Sequence, residues 1–333
     1  MDLQRFFMSV CTITLSHTAL FAAEPLNVLL IDGQNNHAWQ ATTPVMTWIY
    51  NNSGRFKVTV STTPPGSPRP PKAPAKDANP TQKAAFDLAK KKYEEEKVAI
   101  EAAAADAWKS WNPTFTDYDV VVSNYNGDAW PVPAKTAFEG YVKNGGGFVV
   151  VHAADNSFSD WPAYNEMIGV GGWGGRNEKS GPMMRLRDGA WIRDETPGGG
   201  GTHGVQHEFV VETRVADHPI MAGLPIKWKH AADELYAKMR GPATNMTILA
   251  SAFSTLESKG TNEHEPMLMV IDYGKGRVFH TTLGHSAAAM ASLGFQITLL
   301  RGTEWAATGK VTIPAPAADA LTLDKVALQP PPQ

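Results

Sequence analysis

Residues 145–155, GGGFVVVHAAD, place three glycines, four consecutive apolar residues and a histidine in one short stretch. A short apolar run that follows a glycine turn is typical of a strand buried on both faces of a parallel sheet. In open α/β sheets, ligands bind beyond the carboxyl ends of the strands. The stretch therefore predicts a buried strand that presents His152 at the edge of an α/β sheet.

The flanking sequence extends this pattern in both directions. Apolar runs at 26–33, 56–63 and 118–125 predict strands, and the segments 42–54 and 134–144 predict helices between them. Two further strands, a hairpin turning at 273–276 and a closing helix are expected at 207–214, 246–253, 264–286 and 287–307. Alternating strands and helices predict an α/β fold with a parallel sheet and helices on both faces.

Two segments interrupt this alternation. Residues 64–113 are Pro- and Lys-rich at first, and then Asn79-Pro80-Thr81-Gln82 gives the N-terminal cap of one long polar helix to about Trp111. We interpret 64–113 as an insertion outside the sheet. Residues 156–206 are rich in glycine and lack periodicity, which predicts a long and functional loop region.

The N-terminal segment predicts that the protein is exported. Residues 1–23 carry Arg5, an apolar run and a final Ala-Ala, as a secretory signal peptide does. We therefore expect a periplasmic or secreted protein with one domain at 24–312 and a flexible tail at 313–333. No later apolar stretch is long enough for a membrane helix.

Composition excludes several classes of protein. A net charge of −3 argues against a nucleic-acid partner. Cys11 is the only cysteine and lies in the predicted signal peptide, so the mature chain has no thiol nucleophile or disulfide. The sequence has neither the G-x-S-x-G motif of α/β-hydrolases nor the phosphate-binding G-x-x-x-x-G-K-[ST] loop, and we expect no nucleotide cofactor.

Polar and aromatic side chains follow several predicted strands, where a ligand would bind. His37 and His152 follow the first and fourth strands, and with His285 we expect them to hold a divalent metal such as zinc. A structural role for such histidines is the alternative. The side chains expected to bind substrate are Asn124, Asn126, Trp39, Trp130, Asp155 and Trp161.

The predicted hairpin suggests catalytic groups. With a four-residue loop at 273–276, His264 faces His285 and Glu265 faces Gly284, so imidazole and carboxylate groups meet at the open end. Such groups bind a metal or transfer protons, although a salt-bridged hairpin end is an equal alternative. The full set of catalytic candidates is His152, Glu265, Asp233, Glu234 and His207.

Several segments resemble the trehalose-utilisation ThuA-like family in sequence and order. They are YDVVVSNYNGDAW, YVKNGGGFVVVHAADNSFSDWPAYNEMIG, HEFVVETRVADHPIMAGLP, DELY and GKGRVFHTTLGHS, and the match spans about 26–55 and 114–307. The resemblance implies a flavodoxin-like sheet related to class I glutamine amidotransferases. Those enzymes carry a cysteine nucleophile about where His152 stands, which excludes thiol amidotransferase chemistry here.

The resemblance also implies a function in sugar breakdown. ThuA-like proteins are associated with glycosides whose 3-keto forms a partner oxidoreductase makes. A ketone at C3 acidifies the C2 hydrogen, so that a base can remove it and the C1 substituent can leave. Two other readings remain open: a non-catalytic sugar-binding module, and an interaction protein that uses the 80–111 helix.

Overall fold

A computed structural model describes residues 24–66 and 70–331 of the chain. Within these ranges the strands are β1 Leu26–Asp32, β2 Phe56–Thr62, β3 Val120–Ser123, β4 Gly147–Val151, β5 Met183–Arg187, β6 Ala190–Asp194, β7 Thr202–His203, β8 His207–Thr213, β9 Lys227–Asp233, β10 Tyr236–Ala237, β11 Met246–Ser254, β12 Glu263–Tyr273 and β13 Gly276–Thr281. The α-helices are α1 Trp39–Asn52, α2 Pro80–Ser110, α3 Val132–Lys143, α4 Pro162–Ile168, α5 Ala287–Met290 and α6 Leu293–Thr308.

One nine-stranded sheet forms the centre of the molecule, in the order β2-β1-β3-β4-β13-β12-β11-β8-β9. The first five of these strands are parallel, and β12, β11, β8 and β9 then alternate in direction. The prediction of an α/β sheet is confirmed, whereas a sheet that is parallel throughout is wrong. The long hairpin β12–β13 reverses the strand direction within the sheet. Strands β11, β8 and β9 then extend the sheet beyond β12.

Helices cover both faces of the sheet because successive side chains of a buried strand point to opposite sides. Val28 and Leu30 of β1 pack in the same apolar cluster as residues of α1 and α6. Leu29 and Ile31 pack in the cluster on the other face, which includes residues of α3 and α4. The near-continuous apolar runs of β1, β3 and β4 are what such two-sided burial requires.

The hairpin has the predicted register over part of its length. Tyr273 pairs with Gly276 and Leu268 with Thr281, as a loop at 273–276 requires. Pairing then stops, since β13 ends at Thr281. His264 pairs instead with Phe253 of β11, so the expected pairs of His264 with His285 and Glu265 with Gly284 do not form.

The insertion contains the expected long helix. Asn79 accepts a hydrogen bond from the Gln82 backbone, and the Gln82 side chain accepts one from Asn79, which is the predicted capping box. Among the helix residues that the structure describes, Ala104 is the buried one. Lys–Glu pairs four residues apart lie along its exposed surface, so α2 depends little on the core for its stability.

The C-terminal segment differs from its prediction as a flexible tail. Leu321 is buried, the Lys229 backbone donates to the Thr322 carbonyl, and the Gln296 side chain donates to the Gln329 carbonyl. The segment packs because its scattered apolar residues cover α6 and β9. The predicted signal peptide, residues 1–23, lies outside the described residues. In the part of the chain that is described, none of the helices has the length and hydropathy of a membrane span.

Candidate active site

Four side chains converge at one edge of the sheet. The parallel strands β1, β4 and β13 all end at this edge, and they are followed by His37, His152 and His285. Strand β9, separated from β13 by three alternating strands, also points this way and is followed by Glu234. One ligand atom from each side chain lies within 4.8 Å of the other three. Strand direction therefore creates the cluster from residues almost 250 positions apart.

His152 occupies a sharp turn at the end of β4. Its φ is +48°, in the left-handed region that a residue with a side chain rarely adopts, and a 3₁₀ turn over His152–Asn156 follows. The ring Nδ1 lies 2.6 Å from the Thr282 carbonyl oxygen, and since a carbonyl only accepts, Nδ1 carries the proton. The other ring nitrogen, Nε2, faces the Glu234 carboxylate at 3.6 Å.

Glu234 lies at the centre of the imidazoles. Its Oε2 is 3.1 Å from His285 Nδ1, 3.6 Å from His152 Nε2 and 4.0 Å from His37 Nε2. None of these contacts to Oε2 is a hydrogen bond, and the two longer ones exceed hydrogen-bond distance. Glu234 Oε2, His152 Nε2 and His285 Nδ1 are buried polar atoms without a hydrogen-bond partner, an arrangement that costs stability.

The cluster shifts the pKa values of its own members. Burial, together with the imidazoles of His152 and His285, lowers the pKa of His37 to about 4, so His37 is neutral at pH 7. Burial disfavours the charged form of His152, yet Glu234 and Asp233 outweigh it and raise the pKa of His152. Burial likewise favours protonated Glu234, but His152 and His285 hold the pKa of that carboxyl well below its usual range.

Asp233, a predicted catalytic residue, supports the cluster from behind. It is fully buried, its Oδ1 accepts from the His285 backbone at 3.0 Å, and its Oδ2 accepts from the Gly284 backbone at 2.8 Å. His230 Nε2 lies 2.9 Å from the same Oδ2. Burial would raise the pKa of Asp233, but His230 and the other donors hold it low. Both oxygens are occupied, so Asp233 positions the loop that carries His285.

An open cavity of about 320 Å³ lies beside the cluster. Amide side chains, aromatic rings and titratable groups line it: Asn36, His37, Asn126, Asn156, Trp173, His203, Glu234 and Tyr236. The Trp173 and Tyr236 rings meet edge to face with centroids 4.7 Å apart. His203 Nε2 lies 3.6 Å from Glu234 Oε1. The cavity thus combines hydrogen-bonding amides, flat apolar faces and the charged cluster.

Two glycine-rich segments outside the helices and strands, 172–175 and 198–201, hold Trp173 in place. The Trp173 backbone donates to the Gly200 carbonyl, and a Cβ at Gly201 would lie 2.4 Å from the Trp173 nitrogen. Arg176 is 3% exposed and donates to the carbonyls of Gly172 and Ser157. These bonds tie the loop after β4 to the loop that carries Trp173, and they explain how so much glycine gives a defined wall.

The polar residues expected to bind substrate fall into two groups. Asn126 lines the cavity, and its Nδ2 donates to Asn36 Oδ1 at 2.5 Å. Asn124 does not reach the cavity, because its amide is buried and donates to the hydroxyls of Thr42 and Thr43 at the start of α1. Asp155 is also buried and pairs with His280 Nε2 at 3.1 Å. The predicted substrate roles of Asn124 and Asp155 are therefore wrong.

The predicted tryptophans lie elsewhere. Trp130 and Trp161 are 3% and 5% exposed and belong to the apolar cluster under α3 and α4, where their ring centroids are 6.1 Å apart. Trp39 is half-buried at the first position of α1 and is not among the residues that line the cavity. Apolar packing, rather than a ligand, explains Trp130 and Trp161, and Trp173 supplies the indole that the cavity contains.

Two predicted catalytic residues, Glu265 and His207, belong neither to the cavity lining nor to the cluster. Glu265 is 1% exposed and accepts hydrogen bonds from Arg185 at 2.8 Å, Thr261 at 2.7 Å and the Lys238 backbone at 3.1 Å. Burial raises the pKa of Glu265 in spite of Arg185. His207 bonds through Nδ1 to the Val205 carbonyl at 2.8 Å. Glu265 lies within β12, where it pairs with Ala252 of β11, and it forms a structural ion pair with Arg185.

Fold and site together define an α/β protein with a histidine-rich polar cavity at the carboxyl edge of its sheet. Residues 75–306 match the family described as ThuA, trehalose utilisation. The chain therefore belongs to the ThuA family, as its sequence segments predict. A search of curated proteins found no match.

Two solved structures are similar to this chain. A ThuA-like protein from Parabacteroides merdae is 40% identical with a TM-score of 0.76, and the match covers 92% of this chain and 98% of the other. A ThuA-like protein from Bacteroides uniformis is 16% identical with a TM-score of 0.54, over 89% of this chain and 97% of the other. The first supports the family and the second supports only the fold.

Proposed function

We propose that the chain is an enzyme of carbohydrate catabolism that acts on glycosides or on their 3-keto derivatives. The observation that carries this proposal is the convergence of Glu234 and the imidazoles with amides and aromatic rings in one open cavity. Trehalose utilisation, the description of the matching family, indicates a sugar as the substrate. Burial of unpaired polar atoms costs stability, and such a cost is typical of a site retained for function.

The lining of the cavity suits a sugar ring. Asn36, Asn126 and Asn156 offer amide donors and acceptors for hydroxyl groups, while the Trp173 and Tyr236 rings offer apolar surface beside them. A volume of about 320 Å³ lies at the small end of the usual range for ligand sites, about 300–1,000 Å³. We therefore propose that the cavity binds one sugar ring of the substrate and leaves the remainder near the entrance.

The proposed chemistry begins with proton removal. Nδ1 of His203 lies 2.7 Å from the Gly204 carbonyl oxygen and so carries the ring proton, which leaves the Nε2 lone pair on the side of Glu234. In a 3-keto sugar, the base takes the C2 proton and the electrons form an enolate. A C1=C2 double bond then forms as the C1–O bond breaks, and the departing oxygen takes the proton from the protonated base and leaves as an alcohol. We propose His203 as this base, with the cluster around Glu234 stabilising the substrate oxygens.

The scaffold supports a functional role for the end of β4. The parallel strands follow the order β2-β1-β3-β4-β13, which is the flavodoxin-like order, and we propose that the antiparallel half is an addition to such a sheet. His152 then stands at the turn where related amidotransferases carry a cysteine. Its positive φ is the kind of strained turn that presents a side chain above a sheet. We also propose that the protein is exported and that a partner oxidoreductase makes its 3-keto substrate.

Incubation of the purified chain with a disaccharide and with its 3-keto form, followed by chromatography, tests the proposed function. We expect release of a free sugar from at least one of the two substrates, and loss of that release in His203→Gln and Asn126→Ala. His207→Gln is the matched control, because His207 is a nearby histidine outside the cavity. Tight sugar binding without any product would instead support a sugar-binding module.

A further inference from the structure

We propose that the cluster at the carboxyl edge of the sheet binds a divalent transition-metal ion, with one ligand atom each from His37, His152, Glu234 and His285. The inference deepens the proposed function by naming a cofactor for the same cavity. A catalytic role for the metal ion rests on the proposed function, whereas metal binding itself can be measured without any sugar.

The spacing of the ligand atoms fits a single ion. Around an ion with bonds of about 2.1 Å, tetrahedral ligand atoms lie about 3.4 Å apart. Glu234 Oε2 lies 3.1 Å from His285 Nδ1, 3.6 Å from His152 Nε2 and 4.0 Å from His37 Nε2. All four atoms lie within 4.8 Å of one another, so small side-chain rotations complete the coordination sphere.

The buried polar atoms provide an independent observation. His152 is 3% exposed and Glu234 is 7% exposed, yet His152 Nε2 and Glu234 Oε2 lack hydrogen-bond partners, as does His285 Nδ1. These three atoms face one another across the centre of the cluster. A metal ion satisfies all three at once, whereas without an ion the cluster has a buried carboxylate oxygen and ring nitrogens with no hydrogen bonds.

The second ring nitrogen of His152 is arranged as in metal sites, where the proton of the non-ligating nitrogen has its own acceptor. His152 donates its Nδ1 proton to the Thr282 carbonyl. The Gln206 side-chain nitrogen lies 3.0 Å from His285 Nε2. Turning that amide by 180° would place its oxygen there as an acceptor for the ring proton. Asp233 holds the backbone of His285 from the other side. The bond to Thr282 orients His152 with Nε2 toward the cluster, and Asp233 fixes the loop that carries His285.

The donor set selects the kind of metal. Imidazole nitrogens suit zinc, iron, nickel and copper, whereas magnesium and calcium prefer all-oxygen sites. A set of three imidazoles and one carboxylate therefore favours a first-row ion such as Zn²⁺. Both His37 and Glu234 line the open cavity, so a substrate oxygen can approach the ion from that side.

Calorimetric titration of the EDTA-treated chain with ZnCl₂, without sugar, tests the inference. We expect one binding site per chain. His285→Ala should weaken binding by more than about 100-fold, the upper range for loss of an outer partner alone. His207→Ala, a nearby histidine with no ligand atom in the cluster, should bind Zn²⁺ as the unmodified chain does.

Absence of Zn²⁺ binding, or equal binding by His285→Ala and His207→Ala, would overturn the inference. If His285→Ala does not fold, His37→Ala replaces it, since His37 precedes α1 in a partly exposed loop and should give the same loss. Sugar turnover by fully metal-free protein would refute a catalytic role for the metal ion and support the proposed function. Zn²⁺ binding without turnover of any sugar would refute the proposed function and support the metal-binding site.

Discussion

Two buried glutamates of this molecule, Glu265 and Glu234, differ in how their carboxylates are hydrogen-bonded. Glu265 is 1% exposed and accepts hydrogen bonds from Arg185, Thr261 and the Lys238 backbone. Glu234 is 7% exposed, and its Oε2 faces imidazoles without a hydrogen bond. A satisfied carboxylate stabilises the fold, whereas an unsatisfied one beside a cavity is typical of function. The comparison predicts that substitutions of the two residues affect different properties.

The largest expected effect is on stability, in Glu265→Gln. Loss of the negative charge leaves Arg185, itself 4% exposed, with Asp194 at 3.7 Å as its remaining ion-pair partner and without the closer contact to Glu265 at 2.8 Å. Breaking a buried ion pair in this way costs about 3–5 kcal/mol. Urea denaturation should show a decrease of this size in the free energy of unfolding. A decrease below about 1 kcal/mol, the range of exposed ion pairs, would show that the Glu265 pair is not structural.

Glu234→Gln should have the opposite profile. Because Glu234 Oε2 has no hydrogen-bond donor, we expect a smaller loss of stability than in Glu265→Gln, limited to the attraction between the carboxylate and the imidazoles of His152 and His285. We expect turnover of the sugar substrate to fall by about 100–1,000-fold, as when one electrostatic group of an active site is removed. Parallel measurements of kcat and urea denaturation check both expectations. A stable Glu234→Gln variant with full activity would contradict a functional role for Glu234.

A smaller effect is expected for His203→Gln, which tests whether Glu234 acts alone. His203 lies 3.6 Å from Glu234 but is 37% exposed, so its loss should leave the fold intact. Removal of a general base lowers kcat by about 100-fold at the lower end of the usual range. KM should change little, because the amides remain. A change confined to KM would assign His203 to binding rather than to proton transfer.

The smallest effect is expected from tryptophan substitutions on the two sides of the site. Trp173→Ala removes an aromatic face of the cavity, and we expect a rise in KM of about tenfold, equivalent to about 1.4 kcal/mol. Trp161→Phe changes a core residue with an indole hydrogen bond to Glu139 and should leave KM unchanged. Steady-state kinetics on both variants would contradict this assignment if Trp161→Phe shifted KM more.

The sequence predicts well those features that depend on short-range pattern. Apolar runs locate β1 and β4 within two residues, and the capping box locates the start of α2. All four members of the cluster follow strands or stand in a short acidic segment, which is why His37, His152, Glu234 and His285 are among the sequence candidates. Strand direction brings them together.

Features that depend on long-range pairing escape sequence analysis. Tyr236 and His203 meet through a two-residue strand pair, and Trp173 is held by glycine backbone and by Arg176, none of which leaves a periodic pattern. Trp130 and Trp161 carry the same side chain as Trp173 but pack in the core. The DELY segment does place Tyr236 two residues after Glu234, and this spacing was the one available signal for the aromatic wall.

Anomalous diffraction at the zinc absorption edge, from crystals of the chain grown with Zn²⁺, tests most directly whether Glu234 belongs to a metal site. We predict one strong peak within about 2.0–2.2 Å of Glu234 Oε2 and of ring nitrogens from the three histidines. A map with no peak there, and with Glu234 hydrogen-bonded to a protonated His152, would contradict the account.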